Sequence, residues 1–433
     1  MINRRVMPET KHVRGINLPN PVYSHLTNGI PVALLPSGHE PICRLDLVFD
    51  AGSRYQDQLL TASLTAQMIP EGTSTKSGGE IAELFEFYGS FFNAVADRDQ
   101  AEITLHAPGK HMAPLLEITR EVLFQPAFNP DMLEIIKQNR IQSMLVDDQR
   151  VESASRKAFI AALFGREHPY GAVAEASDVN GVVPEHLIRF YSRYYRPERC
   201  RILVTGLNPE QYLPLIDQAL GHDWPTTSHS ELIDNESLPQ PSISSSSRIF
   251  LPMKEAVQAS IRMGKPLFSR KNPDFSGLSI VNTILGGYFG SRLMKNIREE
   301  KGLTYGISSH LATLRDHGFF MLGSTVEAGS ADAALQECRK EMTRLASDLV
   351  PEVELELVRN YLTAQVQRSI DGPIQVAEQF RSLWMHEMDF SHLKEFIRLI
   401  NNISPEEIRD LAAKYLNPTE MIEVIAGPTT PVE

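Results

Sequence analysis

Pro184-Glu185-His186-Leu187-Ile188-Arg189, running on through Tyr194-Tyr195-Arg196-Pro197 to Arg201-Ile202-Leu203-Val204-Thr205-Gly206, returns near the end of the chain in altered form. There Pro405-Glu406-Glu407-Ile408-Arg409 leads through Tyr415-Leu416-Asn417-Pro418 to Ile422-Glu423-Val424-Ile425-Ala426-Gly427. The Pro-Glu starts, the later prolines and the closing glycines are each 221 positions apart, with no gap. Upstream, Pro130-Asp131 with Asn139 and Pro351-Glu352 with Asn360 keep the same offset. A single match of this kind is easily accidental, but a set of them in one register marks an internal repeat. The chain reads as two copies of a unit of about 200 residues, an ordinary domain size.

Working outward, 433 residues are too many for one core, so two or more domains are expected. The repeat places an N-terminal unit at 1–221 and a C-terminal unit at 249–433. Between them, 222–248 is rich in proline and serine, including Trp224-Pro225-Thr226-Thr227-Ser228 and Leu238-Pro239-Gln240-Pro241-Ser242, and is expected to be an extended, exposed linker.

Each unit reads as mixed α/β. In the first, 32–35 and 42–49 are strand-like, a helix follows over 61–69, and a second, amphipathic helix over 79–87 closes at Gly89. Residues 91–95 and 101–106 alternate as paired strands around the turn Ala96-Asp97-Arg98-Asp99. Helices over about 110–124, 131–146, 152–164, 184–195 and 208–219, with a strand at 201–205, complete the unit. Pro184 and Pro405 suit a first helical turn, where a missing N–H costs nothing. Neighbouring strands with helices grouped after them predict an α+β fold: an antiparallel-rich sheet with helices packed on it, in tandem duplication.

Composition removes several functional classes. A net charge of -12 argues against a nucleic-acid or anionic-membrane binder, since both need a basic face. Cys43, Cys200 and Cys338 are scattered, form no C-x-x-C pair, and are expected as reduced core thiols. The stretch Met1-Ile2-Asn3-Arg4-Arg5-Val6-Met7-Pro8-Glu9 has no apolar run behind its basic residues, which argues against a signal peptide. No segment approaches the roughly 18 to 20 apolar residues of a membrane span. A cytoplasmic location follows, with a periplasmic one left open.

Two stretches could carry chemistry. Ser63-Leu64-Thr65-Ala66-Gln67-Met68-Ile69-Pro70-Glu71-Gly72-Thr73 has the frame of the inverted zinc motif H-x-x-E-H, but its ligand positions read Ser63 and Gln67 and its general-base position reads Ala66. A hydroxyl and a neutral amide are poor zinc ligands, and alanine has no proton to move. The other stretch is Ile297-Arg298-Glu299-Glu300-Lys301-Gly302-Leu303-Thr304-Tyr305. Apolar Leu293, Met294 and Ile297 mark a helix face, Gly302 provides a left-handed stop, and 303–307 resumes as a strand. Arg298 then falls in the last helical turn and Tyr305 on the strand after it. A fixed cation and a phenolic donor aimed at one oxygen stabilise developing negative charge. The bland alternative is a surface ion pair and a half-buried strand tyrosine. His386-Glu387 and His392-Leu393-Lys394-Glu395-Phe396 break the metal motifs they begin and are expected as surface helix residues.

These stretches, with Ala51-Gly52-Ser53-Arg54, Asn93-Ala94 and Leu285-Gly286-Gly287-Tyr288-Phe289-Gly290-Ser291-Arg292-Leu293, resemble the pitrilysin/insulinase family of zinc metallopeptidases across nearly the whole chain. The resemblance implies that the arginine and tyrosine face the catalytic cavity and contact the substrate carbonyl. It implies that the strand carrying Phe92, Asn93, Ala94 and Val95 pairs with an extended peptide, an interior strand being the plainer reading. Gly286 and Gly287 would lie in a substrate-facing flap or, equally, a helix-joining turn. The family's third ligand, a glutamate, belongs on the helix reading Lys137-Gln138-Asn139-Arg140-Ile141-Gln142-Ser143-Met144, which has no acid. This chain is therefore expected to bind no metal.

The sequence thus looks like the metal-free subunit of a two-chain peptidase. It would supply Arg298 and Tyr305 to a homologous partner that bears H-x-x-E-H and holds the zinc, and it would form a homodimer when alone. A catalytically silent scaffold or peptide-binding protein of the same fold is the alternative, and an independent hydrolase finds no ligand set.

Overall fold

The computed structural model describes residues 18–224, 238–245 and 247–428; the expectations for Met1–Glu9 and for most of the linker fall outside these residues. The described residues build two sheets. The first contains β1 (Val22–His25), β2 (Pro31–Pro36), β3 (Ile42–Phe49), β4 (Phe91–Ala96), β5 (Ala101–Pro108) and β6 (Cys200–Gly206), in the order β1-β2-β6-β3-β5-β4. The second contains β7 (Arg248–Pro252), β8 (Gln258–Phe268), β9 (Thr304–Thr313), β10 (His317–Glu327) and β11 (Ile422–Gly427), in the order β7-β11-β8-β10-β9. Apart from β1, which sequence reading missed, the two orders are the same path. Among the described strands, only β2 with β6 and β7 with β11 run parallel. The α+β fold and its duplication are as the sequence indicates.

Local signals account for the helix starts. Pro130, Pro184 and Pro405 each open a helix, and Ser77 with Glu80 and Ser404 with Glu407 form reciprocal capping boxes. Gly89 at φ +64° ends the helix before β4. The central strand β3 is buried along nearly its whole length because both of its faces are covered, whereas β4 alternates exposed and half-buried residues as an edge strand does. Cys43, Cys200 and Cys338 are buried free thiols.

The two copies exchange one helix. Val151–Phe164 packs on β8 and β11 of the second sheet, and Pro373–Trp384, its counterpart under the repeat, packs on β6 of the first. Phe159, Leu163 and Phe164 meet Phe319, Ile422 and Val424; Val376, Phe380 and Leu383 meet Ala33, Leu35 and Leu203. Each fully buried side chain of this size stabilises by ~1.5–3 kcal/mol. Charges fix the register of each exchanged helix. Arg44 on β3 reaches Glu378 at 2.6 Å, and Arg262 on β8 donates to the Ser155 hydroxyl at 3.0 Å. Amphipathic periodicity foretells the apolar faces of these helices, but not the sheet each one covers.

The described part of the linker is extended but not free. Ser242 and Ser244 donate backbone N–H groups to the carbonyls of Phe164 and Ala162 at 2.9 Å, and the His168 ring bonds the Pro239 carbonyl at 2.9 Å. Leu238 is half-buried against the exchanged helix. Residues 238–245 are thus extended and mostly exposed but strapped to the first copy.

Candidate functional site

The degenerate zinc frame lies on the helix Thr61–Met68, packed against β4. Ser63 is half-buried and its hydroxyl donates to the Leu60 carbonyl at 3.1 Å; Ala66 is buried; Gln67 is exposed. On the helix Pro130–Asp148, Lys137 is buried and donates to the carbonyls of Val182 and Asn180 at 3.1 and 3.3 Å, beyond the end of the helix Ala176–Asn180, where a cation complements the helix dipole. Among the described residues no three His, Cys, Asp or Glu side chains converge. A spent hydroxyl, a methyl group and one solvent-facing amide do not fit zinc.

After the frame, the chain is held tightly. Thr73 and Lys76 donate to the two carboxylate oxygens of Glu121 at 2.8 and 2.6 Å, and Thr73 N–H bonds Lys76 O at 2.8 Å. Burial pushes the Glu121 carboxyl up, but the Lys76, Thr75 and Thr73 donors outweigh it and bring it down to about 2. Sequence reading did not find Glu121, because its partners lie far from it in the chain.

Phe92, Asn93, Ala94 and Val95 sit on β4, which ends the first sheet and, among the described residues, pairs only with β5. No described strand pairs with its outer edge, and Phe91, Asn93 and Val95 are exposed. The edge position replaces the interior-strand reading.

The second sheet ends at the equivalent strand, β9. Arg298 lies in Met294–Glu300, a π-helical segment whose wider turn is closed by Lys301 N–H to Asn296 O at 3.0 Å. Gly302 at φ +65° makes the stop, with Leu303 N–H bonding Ile297 O. The Arg298 guanidinium stands over the Phe289 ring at 4.6 Å, and its nearest carboxylate is its neighbour Glu299, at 3.9 Å. Tyr305 sits at a β-bulge: Thr304 pairs with Val326 and Ile307 with Ser324, so Tyr305 and Gly306 oppose Thr325 alone. The bulge turns the tyrosine outward, leaving it 94% exposed. Arg298 and Tyr305 flank the start of β9 but share no hydrogen bond.

Gly286 and Gly287 divide. Gly286 is buried where helix meets β9, and a Cβ there would lie 2.6 Å from Ser309 Oγ and 2.9 Å from Leu293 Cδ1. It allows close packing there, as a helix-joining turn does, which favours the turn over the flap of the two readings. Gly287 is half-buried and lines a cavity. Phe289, overlooked in the sequence as a site residue, orients Arg298.

Comparison with known proteins decides the family. The model described as "Insulinase (Peptidase family M16)" matches residues 32–173, and "Peptidase M16 inactive domain" matches 181–362. The chain belongs to peptidase family M16. Its relatives include an uncharacterized zinc protease of Mycobacterium leprae, 23% identical over 82% of this chain and 80% of that protein. Another is the uncharacterized zinc protease YmxG of Bacillus subtilis, 20% identical over 92% and 96%. Among solved structures, a peptidase M16 inactive domain from Pseudomonas fluorescens superposes with a TM-score of 0.86 at 25% identity, covering 96% of this chain and all of that one. A protease from Helicobacter pylori shares the fold at a TM-score of 0.82 and 18% identity, covering 95% and 100%.

Within this M16 chain the remaining histidines are less peripheral than their motifs suggest. His386 and His392 are half-buried, burial pushes both pKa values down, and His392 lines the same cavity as Gly287. His392 is a helix residue as expected, whereas His386 lies in the turn after the helix Pro373–Trp384, and neither is fully at the surface. No helix among the described residues is long and apolar enough to cross a membrane.

Proposed function

We propose that this chain is the zinc-free subunit of a two-chain M16 peptidase. One observation carries the reading: Tyr305 is almost wholly exposed at the start of β9, the strand that follows the segment bearing Arg298, in a chain whose own zinc frame cannot ligate. An exposed phenol and a guanidinium without a strong carboxylate partner serve a ligand from outside the chain better than they serve this fold. The edge of β4 at Phe92–Val95 would take an extended peptide by main-chain hydrogen bonds. Arg298 and Tyr305 would donate to the carbonyl oxygen as it gains charge, an effect worth roughly 10²–10³ in rate per donor. Zinc held by a partner bearing H-x-x-E-H would supply the activated water. Alone, the chain forms a homodimer, and we place it in the cytoplasm.

The test is reconstitution. The purified chain is expected to carry no stoichiometric zinc and to cleave no peptide, and to become part of an active enzyme when mixed with a homologous chain bearing H-x-x-E-H. Stable association without any gain in cleavage would favour a silent scaffold instead.

A further inference from the structure

A cavity of about 360 Å³ lies behind β9, between the helices Phe275–Asn282, Glu352–Arg368 and Ser391–Asn402. It is large enough for a small ligand. Its lining contains no Asp or Glu, yet Arg270 projects into it together with His310 and His392. The Arg270 Nη1 donates to Ser382 Oγ at 3.2 Å, while its Nε is buried with no partner. Burial alone pushes the Arg270 pKa down, with no carboxylate offsetting it. Arg270 as a whole is half-buried, and a partly desolvated guanidinium with no carboxylate in the cavity lining is suited to take an anion from outside.

A second unmet group narrows the chemistry. Asn282 is 9% exposed; its Nδ2 donates to the Ser309 carbonyl at 3.2 Å, and its Oδ1 is buried without a donor. The cavity therefore offers donors to an anion and an acceptor to an N–H. Phe275, Leu311, Leu362, Val366 and Phe396 supply an apolar wall. A carboxylate, an adjacent amide N–H and an apolar side chain occur together in an N-acylated amino acid and at the C-terminal residue of a peptide.

We infer that this cavity binds the carboxyl-terminal residue of an N-acylated amino acid or short peptide, with Arg270 holding the carboxylate and Asn282 Oδ1 accepting the amide N–H. This role needs no partner chain, so it can stand or fall apart from the peptidase reading.

The experiment is calorimetric titration of the isolated chain with N-acetyl-leucine, N-acetylleucinamide and acetyl-Ala-Ala-Leu. Saturable binding of an acid is expected, weaker by about tenfold or more for the amide and for the acids on Arg270→Gln, because a charge-assisted bond is lost. Acetyl-Ala-Ala-Leu binding as well as N-acetyl-leucine identifies peptide ends as the source; N-acetyl-leucine alone identifies free acylamino acids. The acid and amide comparison uses the unaltered chain, so it holds even if Arg270→Gln fails to fold. No saturable binding of either acid, or equal affinity for acid and amide, overturns the inference.

Discussion

The guanidinium of Arg315 bonds the carboxylate of Asp50 at 2.7 Å, joining the turn after β9 in one copy to the end of β3 in the other. Arg54 returns the contact by pairing with Asp316 at 2.6 Å. Arg315 also donates its backbone N–H to Asp99 at 3.0 Å and its side chain to Tyr55 at 3.2 Å. Burial lowers the Arg315 pKa, but Asp50 and its neighbours reverse that and raise it overall. Arg315→Ala leaves Asp50 without this partner, and a loss of about 1.5–3 kcal/mol is expected in urea unfolding. With Arg54→Ala added, the effects should be non-additive, since both side chains contact Tyr55.

The exchanged helices should make the two copies unfold together. Phe380 is fully buried on the far sheet, and Phe380→Ala is expected to cost about 3–5 kcal/mol while keeping a single transition by both circular dichroism and tryptophan fluorescence. Separate transitions for the two probes would mean that the copies are independent.

Refilling the general-base position should harm the fold. Ala66 is 1% exposed, so Ala66→Glu buries a carboxyl with no partner in place and is expected to cost about 2 kcal/mol or more in urea unfolding. An unchanged midpoint would show that the helix Thr61–Met68 yields readily.

Acid should loosen the segment after the zinc frame. The Glu121 carboxyl is held at about 2 in the folded chain against an ordinary 4.5, so its contribution is complete above 4.5 and is lost as pH falls toward 2. Glu121→Gln is expected to be less stable than wild type at neutral pH and to lose less further stability between pH 4.5 and 2. Parallel pH profiles for the two proteins would remove this role.

Much of this was legible in the chain. The 221-residue offset gave the duplication, Gly302 the break before β9, and the alternation around Asn93 a paired strand. These are local or periodic signals, which survive in a single sequence. Legibility ended where the outcome depended on distant partners. The apolar face of Val151–Phe164 does not say which sheet it covers, and nothing near Arg298 says that Phe289 will lie beneath it. Gly286 was left between flap and turn because a glycine kept for close packing against Ser309 looks the same in sequence as one kept for motion. The bulge that turns Tyr305 outward depends on pairing with β10, a register fixed only in the folded sheet.

The most direct measurement is the rate of fluorogenic-peptide cleavage by this chain mixed with a zinc-bearing M16 partner, compared with each chain alone and with Arg298→Ala and Tyr305→Phe in the mixture. Tyr305 is exposed and Arg298 partly so, so neither change should move stability by more than about 0.5 kcal/mol, and rate losses will not reflect unfolding. The account expects cleavage well above either chain alone, reduced by about 10²-fold or more in each variant. Full activity in both variants, or about one tightly bound zinc in this chain by itself, would contradict it.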